Sequence, residues 1–319
     1  MAQAEVEAAW QAGIVVVVAA GNSGRDNSLG MDGYGTIQAP GNDPNVITVG
    51  ATKDQNTSTR LDDTVASFSS KGPTLLDHIA KPDIVAPGNR IVSLLAPGSN
   101  LATANPQLVM SPSSPMVVCS LNALGVQICS NDYSARYLRL SGTSMSTPYV
   151  AGAAVLMIQK DPTLTPDAVK ARMMKTAWKG YPVSSWGVDW LGNSYFSQYD
   201  VFTIGAGYLD VDAALNSTDV VNGGAASPVA VRNTVTGKVG LLNGTSITWG
   251  DSIIWDSSII WSDSLVWGSN AVLPNSIVWG DSITWGDQLD AGFSIIWSDS
   301  IVWGIDGMAA LSSAEDGEN

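Results

Sequence analysis

At 319 residues and 45% hydrophobic content, the chain can bury a sizeable core, enough for one large domain and an appendage. A formal net charge of −14 and a pI near 4.2 exclude nucleic acid and anionic membrane surfaces as expected partners, because both would repel it. The longest unbroken apolar run, Ile14 to Ala20, has seven residues against the roughly 20 that cross a bilayer, so no membrane span is expected.

Ala4 to Ala12 carries Val6, Ala9 and Trp10 at helical spacing and predicts a helix that Gly13 ends. Val15 to Ala20, small or β-branched throughout, predicts a strand covered on both faces, as in a parallel sheet flanked by helices. It runs into Gly21-Asn22-Ser23-Gly24, which places Asn22 at a strand's carboxyl end, where open α/β sheets hold their ligands. Asn45 to Thr52 predicts the next strand, and Ala66 to Ser70 and Asp83 to Ala86 two shorter ones. Residues 96–139, rich in Ser, Pro, Asn and Leu, read as an irregular surface insertion. Both cysteines of the chain, Cys119 and Cys129, fall there; a local disulfide, which would require export, and two unpaired thiols both stay open.

Leu140-Ser141-Gly142-Thr143-Ser144-Met145-Ser146-Thr147-Pro148 predicts a tight turn that delivers a hydroxyl to the start of a helix. Val150, Ala154, Val155 and Ile158 continue at helical spacing, and the helix ends before Asp161-Pro162. Ser144 would lie at the positive end of the helix dipole, beside the free amides of the first turn, where an oxyanion is stabilised. The plain alternative is an ordinary serine cap. A second helix starts at Thr165-Pro166, with threonine as cap and proline at the first position, and runs to about Ala177. Gly205 to Leu215 predicts a closing strand and helix, and residues 216–240 a polar linker.

Beyond the linker lies a hexapeptide repeat over 241–304, with tryptophans at 249, 255, 261, 267, 279, 285, 297 and 303 on one six-residue grid. Its consensus, Asp-Ser-Ile-Val-Trp-Gly, predicts an all-β stack, a meander of short strands or a solenoid. Asp251, Asp263, Asp281, Asp287 and Asp299 would line one edge, either as solvated turns or as Ca²⁺ ligands. An acidic tail, 305–319, closes the chain. No Lys or Arg follows Lys238, and nine Asp and two Glu supply 11 of the 14 net negative charges.

Gly142-Thr143-Ser144-Met145-Ser146-Thr147-Pro148 with Val150-Ala151-Gly152 resembles the nucleophile motif of the subtilisin-like serine proteases. Val15 to Asn22 resembles the strand that ends in that family's oxyanion-hole asparagine. The likeness extends through Pro40 to Thr52, Ala66 to Pro73 and Lys81 to Gly88, and covers about residues 3–215. It implies an α/β fold, a mostly parallel sheet flanked by helices, incomplete here and followed by the all-β repeat. It implies a serine endopeptidase in which Ser144 is the nucleophile, its N–H and the Asn22 carboxamide hold the oxyanion, and Ala19, Ala20 and Gly21 line the primary specificity pocket. Loss of the asparagine donor costs roughly 3 kcal/mol in this family. The substrate would be a protein or peptide, and the location secreted or cell-surface, although the first residues contain no export signal. No cofactor is required for the chemistry; a structural Ca²⁺ is compatible with the resemblance.

The base and its orienting carboxylate are missing. The single histidine, His78, follows Asn22 and lacks the flanking glycines of the family's motif, so a surface loop is expected for it. Asp62, Asp63 and Asp83 match no catalytic-aspartate motif, and Asp83 is expected to be structural, near a cation site. The chain thus reads as the carboxy-terminal part of the catalytic domain, with Asp and His on a separate N-terminal portion. Alone it should be inactive and prone to aggregate through the unpaired edge of Val15 to Ala20. The alternative is a non-catalytic protein: a degenerate protease used for binding, or a surface protein whose repeat does the work.

Overall fold

The computed structural model describes residues 2–28, 30–96, 98–110, 116–121, 127–132, 137–182, 184–189, 191–221, 224–232, 239–242, 260–261 and 277–278. Helix α1 (Ala2–Gln11) is followed by Gly13 in a left-handed conformation, φ 87°, and then by strand β1 (Val17–Ala19). Strand β2 (Ile47–Lys53) is the centre of the main sheet. It runs parallel to β1, pairing Val17 with Ile47 and Ala19 with Val49. At its end it takes β3 (Thr64–Val65) antiparallel, and it also runs parallel to β4 (Ile84–Pro87), Val49 opposite Ile84. Among the described residues β1 pairs with β2 alone, so its other edge is unpaired. Its three residues are half-buried rather than covered on both faces.

Strand β5 (Ile91–Leu94) precedes an insertion that is more regular than its Ser- and Pro-rich composition predicts. It contains α2 (Asn100–Ala104), a 3₁₀ turn at Pro106–Leu108, and β6 (Met116–Leu121) paired antiparallel with β7 (Gln127–Asp132). Cys119 stands opposite Cys129 in that register, and Cys129 is disulfide-bonded. Directly opposed positions of an antiparallel pair bring Cα atoms within bridging range. Strand β8 (Tyr137–Leu140) returns antiparallel to β5, Ile91 opposite Leu140, and leads straight into α3 (Thr143–Lys160).

Helix α3 crosses β1, β2 and β4. Val150, Ala153, Ala154 and Met157, spaced i, i+3, i+4, i+7, are buried against Ile47, Val49, Ile84 and Ala86. Val155 and Ile158, expected on this stripe, are instead exposed at 64% and 36%, together with Tyr149 and Leu156. The helix is apolar on both faces, and only one is covered. Helix α4 (Pro166–Thr176) starts as expected, with Thr165 Oγ1 accepting from the Ala168 N–H. Lys179 folds back onto its end and donates to the carbonyls of Ala177 at 2.8 Å and Lys175 at 3.0 Å.

The hairpin β9 (Ser184–Val188) and β10 (Ser194–Gln198) follows, then α5 (Val201–Ile204) and α6 (Val211–Asn216). The expected closing strand is a single residue, Tyr208, that bridges to Val85 on one side and to Trp178 on the other.

Two expectations fail on packing. Ala66–Ser70 is a buried turn, not a strand: the Ser69 N–H bonds back to Ala66 O at 2.9 Å, and Ser69 Oγ accepts from the Ala51 N–H at 3.0 Å. The described residues of 216–240, expected as a linker, include several that pack against the fold. Ala225, Ser227 and Ala230 are buried, Val229 bridges to Ile79, and β11 (Val229–Arg232) pairs antiparallel with β12 (Val239–Leu242), whose Leu241 is buried. Small residues fit this path against the core where the composition suggests only solubility. Of the repeat, Ile260–Trp261 antiparallel to Ile277–Val278 is described; its wider fold, its aspartate edge and the tail at 305–319 lie outside the described residues.

Candidate active site

The site forms where the end of β1 meets the start of α3. Past Ala20, whose N–H bonds Val49 O at 3.0 Å, Gly21 adopts φ 111°. A Cβ there would lie 2.8 Å from Ser70 Oγ and 2.9 Å from Gln38 Cγ, so glycine is required twice over. The Gly21 N–H donates to Thr143 Oγ1 at 3.1 Å. Thr143 in turn donates to Asn22 Oδ1 twice, from its N–H at 2.9 Å and its hydroxyl at 3.1 Å. These bonds join segments 121 residues apart and fix the orientation of the Asn22 amide. With Oδ1 taken, Nδ2 is the free end; among the described residues it has no acceptor, and it lies 3.3 Å from where a Gly142 Cβ would be.

The other half of the site is held from beneath by Gly88–Arg90. The Gly142 N–H donates to Gly88 O at 2.8 Å, and the Arg90 N–H to Ser141 Oγ at 2.9 Å. Gly142, at φ 147°, makes the turn that a side chain would resist. The first N–H groups of a helix have no intrahelical acceptor. Here those of Thr143 and Met145 bond Asn22 Oδ1 and Gly142 O, while that of Ser144 has none among the described residues. Ser144 itself is exposed. An exposed hydroxyl, one free backbone N–H and one free carboxamide NH₂ therefore converge at a helix's positive end, as acyl transfer through a tetrahedral oxyanion requires.

The loop after Asn22 is braced by the turn that was expected to be a strand. Ser70 N–H donates to Gly21 O and Ser23 N–H to Ser70 Oγ, both at 3.0 Å; Gly24 N–H bonds Phe68 O, and Arg25 Nε bonds Ser67 Oγ at 2.8 Å. Sequence reasoning missed this bracing; the Ser-rich Ser67-Ser69-Ser70 run was its one available signal. Of the expected pocket residues, Ala20 and Gly21 are buried and Ala19 is half-buried.

His78 is not brought to the site. It lies in a half-buried turn at φ 54°, where its N–H donates to Thr74 O at 3.1 Å and its carbonyl accepts from the Ala230 N–H. Burial pushes its imidazole below the usual range. Asp62 accepts from Thr57 Oγ1 at 2.9 Å, and Asp63 is buried with its carboxyl raised by that burial. Asp83 is also fully buried, and the cations beside it are lysines: Lys81 Nζ at 2.7 Å and Lys170 Nζ at 3.2 Å. Among the described residues no group of three or more His, Cys, Asp and Glu is placed to hold a metal ion, and no helix is long and apolar enough to cross a membrane.

An exposed serine at a helix start, set on an α/β sheet, is an arrangement that serine hydrolases use. The family model described as the subtilase family, Peptidase S8, matches residues 1–227, and the chain belongs to that family. It is 46% identical to the serine protease AprX of Bacillus subtilis over 165 residues, 52% of this chain and 30% of AprX. It is 32% identical to subtilisin E of the same organism over 209 residues, 66% of this chain and 35% of that protein. The chain thus spans about a third of the length of these curated relatives. Fervidolysin from Fervidobacterium pennivorans, a keratinolytic enzyme related to subtilisin, aligns at TM-score 0.43 and 20% identity, covering 80% of this chain and 28% of that one. The family's chemistry uses no cofactor.

Proposed function

We propose that this chain is the carboxy-terminal portion of a secreted or cell-surface serine endopeptidase that cleaves protein or peptide substrates through an acyl-enzyme on Ser144. A base takes the Ser144 proton as Oγ attacks the scissile carbonyl carbon. The resulting oxyanion accepts from the Ser144 N–H and from Asn22 Nδ2; its collapse expels the amine, to which the base returns the proton, and water, deprotonated by the same base, then hydrolyses the acyl-enzyme and restores Ser144. The observation that carries this reading is the double donation of Thr143 to Asn22 Oδ1, which leaves Nδ2 free beside the start of α3.

The base and its orienting carboxylate come from a segment outside these 319 residues. Two features support this: among the described residues one edge of β1 is unpaired, and α3 exposes Tyr149, Val155 and Leu156. The test mixes the purified chain with the N-terminal portion of the AprX catalytic domain and follows hydrolysis of a chromogenic peptide. The chain alone should be inactive and the mixture active, with Ser144→Ala lowering turnover at least 10⁴-fold and Asn22→Ala about 10²–10³-fold. The latter range was measured on the matching asparagine of subtilisin. Activity of the mixture that survives Ser144→Ala refutes the assignment, and Ser144-dependent activity of the chain alone refutes the missing segment.

A further inference from the structure

The antiparallel pair of β5 and β8 leads into the serine turn and brings two arginines to it. Arg139, on β8, stands opposite Val92 and five positions before Ser144, and Arg90 immediately precedes β5. Arg90, left-handed at φ 58°, is tied to the turn by its N–H, which donates to Ser141 Oγ at 2.9 Å. Arg90 is exposed and Arg139 half-buried. The two are near enough to interact: burial, and then the Arg90 charge, lower the Arg139 guanidinium from its usual range.

Among the described residues neither guanidinium has a carboxylate, a carbonyl or a ring as partner. Arg25, Arg60 and Arg172 are engaged: Arg25 Nε bonds Ser67 Oγ at 2.8 Å, Arg60 bonds Asp210 at 2.7 Å and Arg172 Nε bonds Asp219 O at 2.9 Å. Acids are not scarce, since the chain has 29 Asp and Glu against 15 Lys and Arg. Two neighbouring cations, one of them partly desolvated, repel each other and cost stability. A carboxylate arriving from outside would offset that cost, and a guanidinium is shaped to take it in two parallel hydrogen bonds.

We propose that Arg90 and Arg139 are specificity-determining residues that receive an acidic side chain of the polypeptide substrate beside Ser144. This rests on the endopeptidase reading of Ser144 and names its substrate class. Opposed residues of an antiparallel pair share a face, so Val92, Leu94, Tyr137 and Arg139 form one surface. Val92 and Leu94 are exposed on it, and aliphatic residues next to the acid in the substrate pack there. The patch selects by charge: a carboxylate meets two cations, whereas a lysine or arginine in the same place meets like charge.

The test titrates the full chain by NMR with two blocked octapeptides, identical except for a central Glu-Glu or Gln-Gln. The Glu-Glu peptide should bind about tenfold more tightly and shift the amides of Gly142 and Ser144, and Arg90→Gln with Arg139→Gln should abolish the difference. Arg139→Gln alone should weaken the preference yet melt no lower than the parent, because it removes a repulsion; an arginine with a merely structural role would lower the melting temperature. Reversing both charges, Arg90→Glu with Arg139→Glu, should turn the preference toward a Lys-Lys peptide, a change that loss of folding cannot mimic. Equal affinity of the parent for the Glu-Glu and Gln-Gln peptides overturns the proposal. So does a preference that survives both glutamine substitutions, one that charge reversal does not invert, or a Glu-Glu complex that leaves the Ser144 amide unmoved. Binding is read without turnover, so its failure strikes the arginine pair and leaves the Ser144 reading to its own assay.

Discussion

Replacing Thr143 by valine tests the core of the site with the least change in shape. The side chain is fully buried, so the isosteric valine fits the same space. Two bonds disappear: the hydroxyl no longer donates to Asn22 Oδ1, and the Gly21 N–H loses its acceptor at 3.1 Å. Asn22 Oδ1 keeps the Thr143 N–H at 2.9 Å, so that loss is partial. The Gly21 N–H, on a buried residue, keeps none, and an orphaned buried donor costs about 1–3 kcal/mol. A central figure of about 2 kcal/mol corresponds to a melting temperature lower by roughly 4–8 °C in a domain of this size. Calorimetry gives the shift, and hydrogen exchange at the Gly21 amide tests its origin, because that amide alone should lose most of its protection. Melting within 1 °C of the parent, or unchanged Gly21 exchange, would show that Thr143 does not tie β1 to α3.

Asp83→Asn keeps the shape of the carboxylate and removes the charge that faces two buried ammoniums. Breaking a buried pair in this way costs about 3–5 kcal/mol, so melting at pH 7 should fall by roughly 10 °C; a loss below 3 °C refutes the counter-ion role. The stability of the parent should also rise with pH. Burial, with Lys170 adjacent, lowers Lys81 from 10.5 to about 7 despite the facing Asp83 and the nearby Asp43, and burial lowers Lys179 to about 8. Between each folded value and 10.5 the unfolded chain binds more protons, so the burial cost, full below pH 7, is relieved as pH rises. Melting temperatures measured from pH 7 to 9 should climb, and a flat or falling profile counts against it.

Much of the site is legible in the sequence because its parts are local. Gly142 before Thr143-Ser144 and the helical run to Lys160 specify a turn and a helix whose bounds the structure reproduces at both ends. The Thr165-Pro166 start of α4 is equally local. Errors arise where tertiary contacts select among apolar or polar candidates. Val155 and Ile158 share helical spacing with Val150, yet α3 turns Ala153 and Met157 to the sheet instead. Ser67, Ser69 and Ser70 suit a strand edge by position, but bond to Arg25, Ala51 and Ser23 and are held in a turn.

The sequence by itself determined the family, the helix that presents Ser144, the strand that ends at Asn22 and the lack of a motif-bearing histidine, since each depends on residues within one element. Only the tertiary structure decided that Thr143 bonds Gly21 and Asn22, that Lys170 is buried beside Asp83, and that Ala225, Ser227, Ala230 and Leu241 pack against the fold rather than link. Those contacts join residues separated by 121 and 122 positions at the site, and Lys170 reaches Val46 across 124. Local periodicity and caps specify elements, whereas such pairings arise only when chain closure brings the elements together.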